Sequence, residues 1–106
     1  MNERIAGLLG IARRAGHVQI GFDAVIGAVK TDKIRLVLCA ADLSPKTEKE
    51  WRYATRDKQV SALTLPLSKE EMGRALGLHK PVGLAATDDE GFAARLRSLT
   101  TEQQEE

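Results

Sequence analysis

Ile34-Arg35-Leu36-Val37-Leu38-Cys39-Ala40-Ala41-Asp42-Leu43-Ser44-Pro45 is the stretch that decides the fold. From Ile34 to Ala40 it is almost continuously apolar and rich in branched side chains, broken only by Arg35. A strand with one wet face alternates, whereas an unbroken run marks a strand covered on both faces. Ser44-Pro45 follows as a cap residue with proline at the first helical position, where its missing N–H costs nothing. The helix it opens is polar and runs to about residue 57, with Trp51, Ala54 and Tyr53 as its candidate burying face. A buried strand leading into an outer helix is the unit of a layered α/β domain.

The same punctuation continues in both directions. Upstream, Asn2 caps a helix whose Ile5, Leu8, Leu9 and Ala12 recur at helical spacing. Gly16 stops it, with Arg13 and Arg14 in the last turn where cations suit the helix dipole. An extended piece, 17–20, reaches Gly21 and a second helix with Phe22, Val25, Ile26 and Val29 on one face, ending near Thr31-Asp32. Downstream, 60–65 reads as a strand closed by Pro66. Ser68-Lys69-Glu70-Glu71 is a capping box, Leu67 and Met72 stand at staple positions, and Gly77 ends that helix. A strand over 81–87 has proline first, where no ladder bond is lost. Thr87 or Asp88 then caps a last helix with Phe92, Leu96 and Leu99 facing inward. This α-β-α-β-α-β-α-β-α order predicts one sheet of about four strands with helices on both faces.

Composition bounds the function. The 106 residues fit one domain, taken as 1–99, with 100–106 an acidic polar tail expected to be disordered. Apolar residues are 42% of the chain and aromatics 4%, so the core must be aliphatic. A single cysteine forms no internal disulfide, no apolar run approaches the roughly 18 residues of a membrane span, and the N-terminus lacks a signal-peptide layout. A cytoplasmic protein without membrane contact is expected. The net charge of +1 conceals an asymmetry: residues 1–58 hold 11 Lys/Arg against 7 Asp/Glu, residues 59–106 hold 5 against 8. A modestly basic face is compatible with nucleic acid.

Catalytic signatures are missing. Gly7 and Gly10 lie inside a helical pattern and read as packing positions, not as a phosphate loop. His17, His79 and one cysteine cannot complete a tetrahedral zinc site. Cys39, within the most apolar strand, is expected to be protonated and inert. Asp88-Asp89-Glu90 complements a helix dipole, and Asp42 is expected to accept from nearby backbone N–H groups. No enzyme, cofactor, metal or small-molecule substrate is expected.

Three stretches carry a resemblance. Leu9 to Gly16 leading to Gly21, Leu36 to Pro45, and Ser68 to Gly77 followed by Lys80-Pro81 together resemble the large-subunit ribosomal protein family 7Ae/30e, in its bacterial branch. The likeness spans roughly residues 4–95. It implies a three-layer α/β/α sandwich around a small mixed sheet, and binding of kink-turn RNA against the start of the second helix and the loop after the fourth, here 21–27 and 77–81. Implied partners are structured RNA, ribosomal RNA among the candidates, and the ribosome or its assembly factors. The residues this puts forward are Arg13, Arg14, His17, Gly21, Phe22, Asp23, Gly27, Lys46, Leu78, His79 and Lys80. Arg13, Arg14 and Lys80 would neutralise phosphates, Leu78 and His79 would pack on splayed bases, and Lys46 (with Lys49) would extend the patch. Lys80→Glu is expected to weaken RNA binding more than Lys69→Glu.

Family members that read sheared G·A pairs carry asparagine, then glutamate, then lysine three residues on. This chain has Asp23, Ala24 and Gly27 there. The change removes an amide donor, a base-contacting carboxylate and a cation, which implies altered specificity. The alternative is a protein-interaction module that kept the scaffold and lost RNA.

Overall fold

The computed structural model describes residues 2–104. Five helices and four strands follow in order: α1 (Glu3–Arg14), β1 (Val18–Ile20), α2 (Phe22–Lys30), β2 (Leu36–Cys39), α3 (Pro45–Ala54), β3 (Ala62–Thr64), α4 (Lys69–Ala75), β4 (Leu84–Thr87) and α5 (Glu90–Gln104). The capping signals do what their chemistry dictates. Asn2 accepts from the Ile5 N–H, Ser44 from Thr47, and Ser68 and Glu71 satisfy each other's backbone N–H in a complete capping box.

The sheet order is β1-β4-β2-β3, with β4 antiparallel to both β1 and β2, and β2 parallel to β3. All four residues of β2 and of β4 are buried, as the unbroken apolar run requires. Alternate side chains feed two cores. Leu36, Leu38 and Ala85 join Ile5, Leu9, Met72 and Leu96 on the face covered by α1, α4 and α5. Val37, Cys39, Leu84 and Ala86 join Val25, Val29 and Trp51 under α2 and α3. The result is the expected α/β/α sandwich.

Four expectations are corrected. β4 starts at Leu84, not residue 81, because Val82 N–H donates to Lys69 O (2.9 Å), so 81–83 fold back along α4. β3 is confined to 62–64. Asp89, not Thr87 or Asp88, caps α5: its carboxylate accepts from Phe92 N–H at 2.9 Å. α5 also continues through residues 100–104, with Thr100 2% exposed, so helix and core pass the expected domain end at 99. Residues 105 and 106 of the expected tail lie outside the described residues.

Among the described residues, no helix is long and apolar enough to cross a membrane.

Candidate nucleic-acid interface

The ends of β1 and β2 and the start of β4 meet at one rim of the sheet, because β4 runs antiparallel to both. Gly21 leaves β1 there, and its N–H donates to Leu84 O at 2.9 Å. Its φ of 93° and ψ of 161° fall in a region open essentially only to glycine. That conformation turns the chain into α2 with no side chain capping the helix. The first-turn N–H groups therefore face outward with the positive end of the helix dipole, the arrangement that attracts anions.

Across the rim lies the segment after α4. Gly73 fixes its path: a Cβ there would stand 1.9 Å from Lys80 O. The Lys80 backbone thus lies directly on the α4 backbone. Asp42 ties down the neighbouring turn by accepting from Lys69 N–H at 2.8 Å, as the sequence led us to expect. Between these walls runs a groove of about 310 Å³, lined by Gly21, Phe22, Thr47, Lys69, Lys80 and Pro81 among others. Residues from the second helix's opening and from the 77–81 segment thus share one surface. Among the described residues, neither Lys69 nor Lys80 has a carboxylate partner.

The eleven candidate residues separate in space. Gly21, Phe22 and Lys80 line the groove. Asp23 and Gly27 are exposed on the first two turns of α2 beside it, with Ala24. Leu78 is half-buried against the core and shares with exposed His79, Lys80 and Arg74 a second hollow of about 310 Å³. Lys46 is exposed in the first turn of α3, 4.0 Å from Glu50.

Three residues lie elsewhere. Arg13 donates to Leu76 O and so completes the C-terminus of α4, the helix end where a cation suits the dipole. Arg14 folds back over Gly10 of its own helix. Both stay exposed and outside the groove lining. His17 is at the opposite end of β1 from Gly21, its Nδ1 2.8 Å from Asp88 Oδ1 and its ring 6.0 Å from that of Phe92. Proximity in sequence to Gly21 misplaced it, because three residues of strand carry the chain across the sheet.

The sequence reading also missed Lys69 as a groove residue and treated it as a control. A signal existed. Lys69 is the first residue of α4, where a cation opposes the helix dipole and gains nothing locally.

Away from the rim, three titratable groups show the fold's influence. Burial pushes the Cys39 thiol up to about 11, with the Glu48 carboxylate adding to the effect, so it is protonated and buried as expected. Burial raises Glu48, but hydrogen bonds from Arg52 and Trp51 outweigh it and hold the carboxyl below its usual range. The Ser68 backbone N–H draws Glu71 down likewise. Among the described residues, no three His, Cys, Asp or Glu side chains converge to hold a metal ion.

Fold, rim and groove define a class, and the sequence agrees: the chain belongs to the Ribosomal protein L7Ae/L30e/S12e/Gadd45 family, whose profile matches residues 3–97. Its relatives include RNA-binding protein YlxQ of Bacillus subtilis (strain 168), 38% identical over 96 residues that span 87% of this chain and 90% of that one. Large ribosomal subunit protein eL30 of Dictyostelium discoideum is 24% identical over 97 residues, 92% of this chain and 87% of its own. A solved protein of unknown function from Bacillus halodurans C superposes with a TM-score of 0.80 at 28% identity, covering 92% of this chain and 97% of that one. The Giardia lamblia 15.5kD RNA binding protein shares the fold, with a TM-score of 0.69 at 21% identity and coverage of 96% and 89%.

Proposed function

We propose that this protein is a non-catalytic binder of structured RNA, and that the groove between Gly21 and Lys80 is where it grips. The observation that carries this is the convergence of an uncapped helix start with two unpaired lysines, Lys69 and Lys80, on one rim. Backbone N–H groups and lysines together suit a phosphate, and a concave rim suits the sharp bend of a folded RNA more than a straight duplex. The RNA-binding name of the Bacillus subtilis relative supports the reading. The ribosomal name of eL30 makes ribosomal RNA, on the ribosome or with its assembly factors, the natural place to look in the cytoplasm.

Specificity is altered in this reading. Asp23 puts a negative charge at the first turn of α2, where it repels phosphate, while Ala24 and Gly27 bring no polar side chain. Each missing base contact is worth about 1–3 kcal/mol of discrimination. Titration of a kink-turn RNA and of the same RNA with its G·A pairs replaced, at several salt concentrations, tests both parts. Binding to both, within tenfold of each other and weakening steeply with salt, is expected. A hundredfold preference for the kink-turn overturns altered specificity. No binding to either at low salt overturns the RNA reading in favour of a protein-interaction module.

A further inference from the structure

The outer face of α3 carries a stripe that the groove does not use. Lys46, Lys49, Tyr53 and Arg56 follow at intervals of three, four and three residues, which aligns them along a helix of 3.6 residues per turn. Arg56 stands just past the helix end. Its guanidinium lies 4.0 Å from the centre of the Tyr53 ring and donates to Tyr53 O at 2.8 Å. Tyr53 is 67% exposed, whereas Trp51 on the same helix is 1% exposed and anchors α3 to its core cluster. Tyr53 belongs to neither core cluster. The fold gains little from placing this ring in water.

The charges beside it point to an anionic partner. Glu48 is engaged by Trp51 and Arg52, and Glu50 lies near Lys46. Among the described residues, no carboxylate pairs with Lys49 or Arg56. Lysines are depleted from the centres of protein–protein interfaces, so an exposed tyrosine flanked by Lys49 and Arg56 suits a polyanion better than a protein. Arginine-backed aromatic rings are platforms for unpaired bases. The stripe also starts at the groove, since Thr47, next to Lys46, lines it. At 1.5 Å per residue the stripe runs about 15 Å from there.

We infer that this stripe is a second contact surface for the same RNA, holding an unpaired strand that leaves the groove, with a base stacked on Tyr53 and phosphates against Lys49 and Arg56. The inference rests on the RNA-binding reading above, and the test separates the two. The probes are a kink-turn hairpin and the same hairpin carrying six unpaired uridines at its 5′ or its 3′ end. For the unaltered protein, one extended RNA is expected to bind about tenfold more tightly than the hairpin. Tyr53→Ala removes that gain and leaves hairpin affinity unchanged, while Tyr53→Phe keeps it. Lys49→Gln lowers the slope of log affinity against log salt by about 0.7 for the extended RNA only. An equal gain in Tyr53→Ala, or no gain from either extension while the hairpin still binds, overturns the stripe alone. Failure of every RNA to bind at low salt overturns the stripe together with the RNA reading.

Discussion

The two ends of β1 differ in how their polar groups are used. At its beginning, His17 is met by Asp88 at 2.8 Å and packs near Phe92, so one ring nitrogen and the ring itself are engaged within the fold. At its end, four residues on from His17, Gly21 opens α2 without a side-chain cap and faces Lys80 across a groove. Both ends bear residues that look functional in a sequence. What separates them is completion: one end has paired its polar groups, while the other gathers helix-start donors with two lysines that, among the described residues, have no carboxylate partner, Asp23 being the acid in that same first turn. The proposed function puts the RNA at that second end.

The sharpest way to break this contrast is at Gly73. A methyl group there meets the Lys80 carbonyl at 1.9 Å, so Gly73→Ala must push the 77–82 segment off α4 and take Lys80 out of the groove. We expect RNA affinity to fall by more than thirtyfold and stability by about 2 kcal/mol, as overpacking typically costs, measured by filter binding and urea denaturation. Next, Lys80→Glu and Lys69→Glu are each expected to weaken binding about tenfold, the first with the denaturation midpoint unchanged and the second with it slightly raised, since a carboxylate suits the start of α4. Their near-equality replaces the ranking that the sequence alone suggested, because both line the groove. Gly21→Ala forces a side chain into a glycine-only backbone region and should cost about 1–3 kcal/mol of stability, read from the thermal midpoint. His17→Ala is expected to leave RNA affinity within twofold and to cost under about 1 kcal/mol, since the His17–Asp88 pair is half-exposed. A larger loss of affinity than for Lys80→Glu would erase the distinction between the two ends.

The smallest effect is a pH dependence. Glu71 and Glu48 have folded pKa values held below their ordinary range. Their contribution to stability is therefore complete above the unfolded-chain carboxylate pKa of about 4.3 and is lost as pH falls through the lower folded values. Glu71→Gln should flatten that acid limb slightly, while stability at pH 7 and above stays independent of these two carboxylates' titration. Cys39 gives the converse check: buried with its thiol at about 11, it should resist alkylation at pH 8 until denaturant is added.

Local chemistry made most of the fold legible. Asn2, Ser44-Pro45 and the Ser68–Glu71 box each act within three residues, so the helix starts they announce can be read without the rest of the chain. The fully buried β2 is equally plain, because both of its faces must be apolar. Strand order was not legible, since the pairing of β4 between β1 and β2 joins segments tens of residues apart. The site was half legible for the same reason. Gly21, Phe22 and Lys80 came from the stretches that carry the family resemblance, whereas the role of Lys69 depends on an Asp42 bond across 27 positions. Arg13's bond to the Leu76 carbonyl, 63 residues away, was likewise beyond any local pattern.

Amide chemical shifts of the labelled protein, followed while a bent, structured RNA is added at low salt, test the central claim most directly. The account predicts the largest shifts at Gly21, Phe22, Lys69 and Lys80, with His17, Asp88 and Phe92 at the far end of the sheet unmoved. Shifts concentrated around His17 and Asp88, with the Gly21–Lys80 groove silent, would contradict it.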